Sequence, residues 1–127
     1  MKYYISTTEY NAGVDLHSKS MYLCLMDREG KILVHENIRH NDLNHLTRLI
    51  APYRHDLTLA FESCFMGAWF ADFCEDEGLP HVMAHALYLR SIQCRKHKND
   101  KRDSQELADC LRTNRIPPAY VVDDLKA

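Results

Sequence analysis

Three short apolar segments stand close together near the amino end, and their spacing limits the possible fold more than any other feature. Residues 27–30, Asp-Arg-Glu-Gly, separate the second segment from the third and are typical of a tight turn. Strand, turn and strand in succession predict an antiparallel meander. Farther along the chain, apolar runs of strand length alternate with segments whose apolar residues recur at helical spacing. The predicted strands are residues 10–15, 20–26, 31–38, 57–61 and 80–83, and the predicted helices are residues 43–50, 66–77, 86–94 and 103–112.

The order of these elements, βββ-α-β-α-β-α with 86–94 as a helical connection, predicts an α/β domain. We expect a mixed five-stranded sheet with helices on both faces. The same order is typical of the ribonuclease H-like fold, in which the first and fourth strands are parallel neighbours. The chain has 127 residues, of which 46% are apolar and 27% charged, and this composition fits one globular domain with its own core.

Acidic residues follow two of the apolar runs. Asp15 stands at the end of the first predicted strand and Glu62 at the end of the fourth. If those strands are parallel neighbours, the two carboxylates converge at one edge of the sheet, where α/β folds collect ligands. Asp100 and Asp103 stand three apart at the head of the last helix, on one helical face. Four carboxylates in one place can bind two divalent cations, and such a pair of ions supports phosphoryl transfer.

Each of these acids also has a simpler interpretation. Asp15 alone can be a turn residue, and Glu62 can accept hydrogen bonds from nearby backbone groups. Asp100 and Asp103 alone are more simply explained as acids at a helix start, where the helix dipole favours them. The metal interpretation therefore depends on the joint placement of all four.

Charge and cysteine content narrow the classes of protein further. The net charge of −2 excludes a uniformly basic nucleic-acid coat protein. Residues 90–115 nevertheless carry eight basic and four acidic side chains, which indicates either a solvated helix face or a patch that contacts phosphates. No apolar run is long enough to span a bilayer, so no membrane partner is expected. Five widely spaced cysteines favour free thiols in the cytoplasm.

The remaining candidate residues are more simply interpreted as surface, packing or core residues than as parts of a site. His17 can touch the acidic site or a phosphate, although a surface position is the more common outcome. Cys64 is interpreted as a packing residue, because no paired base is evident. Trp69, Phe70 and Phe73 form an apolar stripe that predicts a core-facing helix side.

Three stretches of the sequence resemble one protein family. They are residues 14–19 (Val-Asp-Leu-His-Ser-Lys), 62–63 (Glu-Ser) and 98–103 (Lys-Asn-Asp-Lys-Arg-Asp). Together they are similar to the DEDD-type insertion-sequence transposases, a family that includes the Piv invertase and whose nuclease domain resembles the RuvC resolvase. The resemblance runs from about residue 13 to residue 120.

The resemblance implies a catalytic, metal-binding tetrad of Asp15, Glu62, Asp100 and Asp103. It also implies Mg²⁺ as cofactor, with Mn²⁺ as the alternative and two ions in all, and DNA as the partner. Members cut and rejoin DNA strands, and some are guided by a structured RNA; a homodimer or higher oligomer is a reasonable expectation. Basic residues near the tetrad would contact nucleic-acid phosphates: Lys19, Arg95, Lys96, Lys98, Lys101 and Arg102.

Family members continue into a second domain that supplies an attacking serine. We therefore expect residues 1–9 to be a tail, 10–116 the nuclease-like domain, and 117–127 the start of a connector to a missing second domain. The chain would then be a fragment or a truncated copy of a DNA transposase. The alternative is a non-catalytic nucleic-acid-binding or oligomerisation module left from a transposase.

Overall fold

The computed structural model describes residues 2–86 and 99–119. Five strands and three helices form in the following order: β1 (Tyr10–Leu16), β2 (Ser20–Met26), β3 (Ile32–Arg39), α1 (Leu43–Ile50), β4 (Leu57–Glu62), α2 (Gly67–Asp76), β5 (His81–Ala84) and α3 (Asp100–Arg112). A 3-10 helix, Ala51–Asp56, joins α1 to β4 and contains Pro52 near its start. The predicted helical connection at 86–94 lies outside the described residues, apart from Ala86.

The strands form one mixed sheet in the order β3-β2-β1-β4-β5. Strands β1, β2 and β3 are antiparallel neighbours, whereas β4 runs parallel to both β1 and β5. This arrangement confirms the predicted α/β class and the parallel pairing of the first and fourth strands. It is consistent with a ribonuclease H-like fold.

Alternate residues along the strands face two separate apolar layers. Val14, Leu59 and Phe61 pack in the layer that contains Leu46 of α1 and Phe70 of α2. On the other side of the sheet, the buried residues of α3 pack against the remaining inward positions of β2, β4 and β5. Helices therefore cover both faces, as the order of elements predicts.

The side chains of α2 show that the prediction of a core-facing apolar stripe is only partly right. Phe70 is fully buried and Phe73 packs at the edge of the core, but the Trp69 side chain is exposed. The predicted stripe is therefore too wide, because the buried side of α2 consists of Gly67, Phe70 and Cys74 and does not include Trp69.

Helix α3 lies unusually close to β1 at Gly13. A Cβ atom built at this position would stand 2.2 Å from the carbonyl oxygen of Ser104 and 2.5 Å from the backbone nitrogen of Ala108. Only a residue without a side chain fits between the two backbones. Gly13 thus sets the height of α3 above the sheet.

The start of α3 is earlier than predicted. The helix begins at Asp100, not Asp103, because Asn99 acts as its N-cap and its side chain accepts a 3.0 Å hydrogen bond from the backbone N–H of Arg102. Asp100 and Asp103 both lie in the first turn of α3, as their interpretation as helix-start acids predicts, whereas the cap itself is Asn99. Strands β1 and β4 are also one residue longer than predicted, so Asp15 and Glu62 lie within the sheet.

Two isolated β-bridges involve residues close to the predicted domain boundaries. Tyr4 forms an antiparallel bridge with Ile116, and Ala84 forms one with Pro118. Within residues 2–86 and 99–119, no helix is long and apolar enough to cross a membrane.

Candidate metal centre

Asp15 and Glu62 occupy the same end and the same face of the sheet. The parallel register pairs Val14 with Phe61, so Asp15 and Glu62 stand one step farther along each strand. Two residues earlier on these strands lie Gly13, in contact with α3, and Ala60, buried in the layer beneath α3. Because side chains alternate along a strand, both carboxylates belong to the α3 side of the sheet.

Helix α3 brings the other two acids of the predicted tetrad to this end. Asp100 is its first residue and is exposed, whereas Asp103 is buried, with 2% of its surface accessible. Their spacing places both on one side of the first turn. The close approach of α3 to Gly13 directs that turn toward the end of β1.

His17 completes a compact group of ligand atoms that the sequence interpretation underestimated. Its Nε2 atom lies 2.9 Å from Oδ2 of Asp15 and 3.0 Å from Oδ1 of Asp100. One ligand atom from each of these three residues lies within 4.8 Å of the other two. The favoured surface role for His17 is therefore wrong, and its position two residues after Asp15 was the available signal.

The acidic surroundings change the ionisation of Asp15. Burial raises the pKa of this carboxyl group, the hydrogen bond and charge of His17 lower it, and the charges of Asp100 and Asp103 raise it; the net pKa is about 6. Large shifts in the pKa of a carboxyl group are frequent at sites that bind a cation or a proton.

This raised pKa predicts that cation binding weakens in acid. Below about pH 6 a proton occupies Asp15 in the metal-free protein, and a cation must displace it. We expect the apparent affinity for a divalent cation to fall about tenfold for each pH unit below that value, and to be constant above it. Calorimetric titrations with Mn²⁺ across this range measure the effect. An affinity that stays constant in mild acid would contradict the assignment of Asp15 as a ligand.

Glu62 reaches the same end and face of the sheet but does not belong to the three-residue group. It is half-buried at the last position of β4, where it pairs with Ala84 of β5. Among the described residues, the compact ligand group contains Asp15, His17 and Asp100. The structure thus brings Glu62 to the correct end of the sheet without joining it to that group.

The basic residues predicted to bind nucleic acid are divided between described and undescribed parts of the chain. Lys101 and Arg102 are exposed on the first turn of α3, and Lys19 is exposed in the turn between β1 and β2. Arg95, Lys96 and Lys98 lie outside the described residues. An open groove of about 510 Å³ runs beside the centre, lined by Ser20, Tyr22, Asn37, Asn99, Asp100 and Lys101.

Two further exposed residues lie directly after β4. Phe65 has no sequence-based prediction, and Cys64 was predicted to be a packing residue. Phe65 is 94% exposed, three residues beyond Glu62. Cys64 is also exposed, so the prediction that it packs in the core is wrong. An aromatic side chain in solvent beside an acidic centre is a candidate contact for a flat, apolar group of a ligand.

Comparison with known proteins agrees with this geometry. The model of the DEDD transposase family of the IS110 group, described as a transposase, matches residues 12–126. The match covers most of the sequence and includes all residues of the candidate centre. No curated protein matches the chain.

Proposed function

The chain belongs to the IS110 family of DEDD transposases, and on this premise we propose that residues 10–116 form a catalytic domain for metal-dependent cleavage and transfer of DNA strands. The observation that carries the proposal is the meeting of Asp15, His17 and Asp100 within 4.8 Å at one end of the sheet. Three separate elements contribute to this group: β1, the following turn and α3.

The donor set fits a divalent cation. Carboxylate oxygens are the ligands that Mg²⁺ prefers, and Mn²⁺ accepts both oxygen and imidazole nitrogen. We propose that Asp15, Glu62, Asp100 and Asp103 form the catalytic tetrad and hold two such ions, Mg²⁺ or Mn²⁺. The raised pKa of Asp15 supports this role: it results mainly from burial of the carboxylate charge and in smaller part from repulsion by Asp100 and Asp103, and a bound cation would compensate for both.

The chain's own residues would bind and orient the DNA. When bound, divalent cations at such a site activate an attacking oxygen and stabilise a leaving oxygen of the phosphodiester. Lys19, Lys101 and Arg102 are exposed around the centre and would contact phosphates on either side of the reacting one. Arg95, Lys96 and Lys98 are proposed to extend that contact.

The remaining partners are part of the same proposal. Membership of a transposase family implies DNA binding, and we propose a homodimer or higher oligomer that holds several strands at once. A structured guide RNA is proposed as a second nucleic-acid partner. The cytoplasmic location and the domain boundaries at residues 10 and 116 stay predictions.

The first test is a pair of measurements on the full chain. Calorimetric titration with Mg²⁺ and Mn²⁺ should show binding, and a branched DNA substrate should be cleaved only when the cation is present. Asp100→Asn should remove both activities, whereas Asp76→Asn, at an exposed position at the end of α2, should leave both intact. Cation binding without cleavage would favour the alternative of a non-catalytic nucleic-acid-binding module, and the absence of cation binding would contradict the metal site.

A second variant tests the DNA contact without disturbing the metal. Phe65→Ala should weaken DNA binding by about 1–3 kcal/mol if Phe65 stacks on a base. Its effect on stability should be small, because the side chain is 94% exposed. Fluorescence anisotropy with labelled branched DNA measures the affinity. Ile5→Ala, at an exposed apolar residue near the far end of α3, is the matched control, and equal affinities of the two variants would remove Phe65 from the DNA contact.

A further inference from the structure

His17 stands between the two carboxylates of the candidate centre in an unusual way. A single nitrogen, Nε2, lies 2.9 Å from Asp15 and 3.0 Å from Asp100. The His45–Glu36 pair, on the opposite side of the sheet, is an ordinary surface contact at 3.8 Å. The contact with Asp15 is a hydrogen bond in the metal-free protein. Separations of about 3 Å are also those between neighbouring ligand atoms of one octahedral cation whose bonds are about 2.1 Å long, so the same three atoms can bind a shared cation.

The main chain around His17 is held in place by its own hydrogen bonds. The backbone N–H of His17 donates to the carbonyl oxygen of Ser20 at 3.0 Å. The side-chain amide of Asn41 donates to the carbonyl oxygens of His17 and Ser18, at 3.0 and 3.1 Å. These contacts fix the turn after β1, so little further ordering is needed to hold the imidazole at the centre.

Imidazole nitrogen changes the metal preference of a site otherwise made of carboxylates. Mg²⁺ demands oxygen ligands in near-ideal octahedral geometry, whereas transition metals such as Mn²⁺ bind imidazole as well as carboxylate. A site that includes one fixed imidazole therefore discriminates between the two ions. A site built from the four acids alone has no comparable basis for discrimination.

We propose that His17 is a direct ligand of the cation held by Asp15 and Asp100, and that it makes this site select Mn²⁺ over Mg²⁺. This inference rests on the proposed function, because it concerns the same metal centre. It adds a fifth residue to the tetrad and assigns the choice of metal to that residue.

The decisive measurement is pulsed electron paramagnetic resonance on the full chain loaded with Mn²⁺. The wild-type protein should show hyperfine coupling from an imidazole nitrogen bound to the metal, and His17→Asn and His17→Gln should lose it. His45→Asn should keep the coupling. Coupling that persists in both His17 variants, or is absent from Mn²⁺-loaded wild-type protein, would overturn the proposal.

Calorimetry separates this inference from the proposed function. His17→Asn should lower the Mn²⁺ affinity about tenfold or more and change the Mg²⁺ affinity by less than about threefold. Asp15→Asn should abolish the binding of both ions. If Asp15→Asn abolishes cation binding but His17→Asn changes neither affinity, the metal site is supported and the proposal that His17 is a ligand is wrong. If the wild-type chain binds neither ion, both proposals fall.

Discussion

Replacing Asp15 by asparagine is expected to abolish the binding of divalent cations and, at neutral pH, to stabilise the metal-free protein. Asparagine has nearly the same shape as aspartate and can still accept a hydrogen bond from His17. It lacks the negative charge that a cation needs and that Asp100 and Asp103 repel. Removal of this negative charge therefore explains both the loss of cation binding and the gain in stability of the metal-free protein.

The sign of the stability effect follows from the raised pKa of Asp15. In the folded protein this pKa moves from 3.8 to about 6, mainly because the carboxyl group is buried. Its contribution to folding is fully present below 3.8 and is lost as the pH rises through about 6. Asparagine does not titrate, so the variant should gain on the order of 2 kcal/mol over the wild type at neutral pH, and almost nothing in strong acid.

Urea unfolding with a chelator present measures this difference as a function of pH. The free energies of unfolding of the two proteins should converge below about pH 3.8, separate as the pH rises from there to about 6, and differ by a constant amount at higher pH. Added Mn²⁺ should then stabilise only the wild type, because only its folded state binds the ion. A variant that is less stable than the wild type at every pH would show that the charge of Asp15 is satisfied without metal.

Replacing Gly13 by alanine is expected to be the most destabilising single change in the described part of the chain. The added methyl group would meet Ser104 and Ala108 backbone atoms, at 2.2 and 2.5 Å, and neither can rotate away as a flexible side chain does. Helix α3 would have to move off the sheet, and we expect a loss of about 3 kcal/mol. The first turn of α3 would move with it, so cation affinity should fall as well.

Thermal unfolding and calorimetry together test this expectation, and Gly67→Ala is the matched control. At Gly67, in the first turn of α2, a Cβ would lie 3.3 Å from the carbonyl oxygen of Glu62 and 3.4 Å from the flexible end of Met83. Alanine also favours a helix by about 1 kcal/mol over glycine, so the control should change stability by about 1 kcal/mol or less. Equal stabilities of the two variants would mean that α3 can shift at little cost.

Much of the fold can be predicted from patterns among residues that are close together in the sequence. The glycine-terminated turn at 27–30 and the apolar runs around it predict the meander, because hairpins depend on nearby residues. Strand β2 has the predicted bounds, and other strands differ by about one residue. The start of α3 was missed because an Asn99 cap looks like any other polar residue until its side chain is seen to accept from Arg102.

The candidate site was only partly predictable. The spacing of Asp100 and Asp103 and the strand-end positions of Asp15 and Glu62 can be read from the sequence. The exposure of Trp69 and Cys64 cannot, because it depends on which sides of α2 and of the segment before it pack against the core.

By itself, the sequence determined the order of the elements and the family, since these follow from local periodicity and short motifs. The parallel pairing of β1 with β4 was expected only because this order is typical of the ribonuclease H-like fold. Only the tertiary structure decided that His17 joins Asp15 and Asp100, that Asp103 is buried, and that Glu62 does not belong to the compact ligand group. The physical reason is the contact between α3 and Gly13. It joins segments nearly a hundred residues apart, and the height at which the two backbones meet sets which side chains share one site.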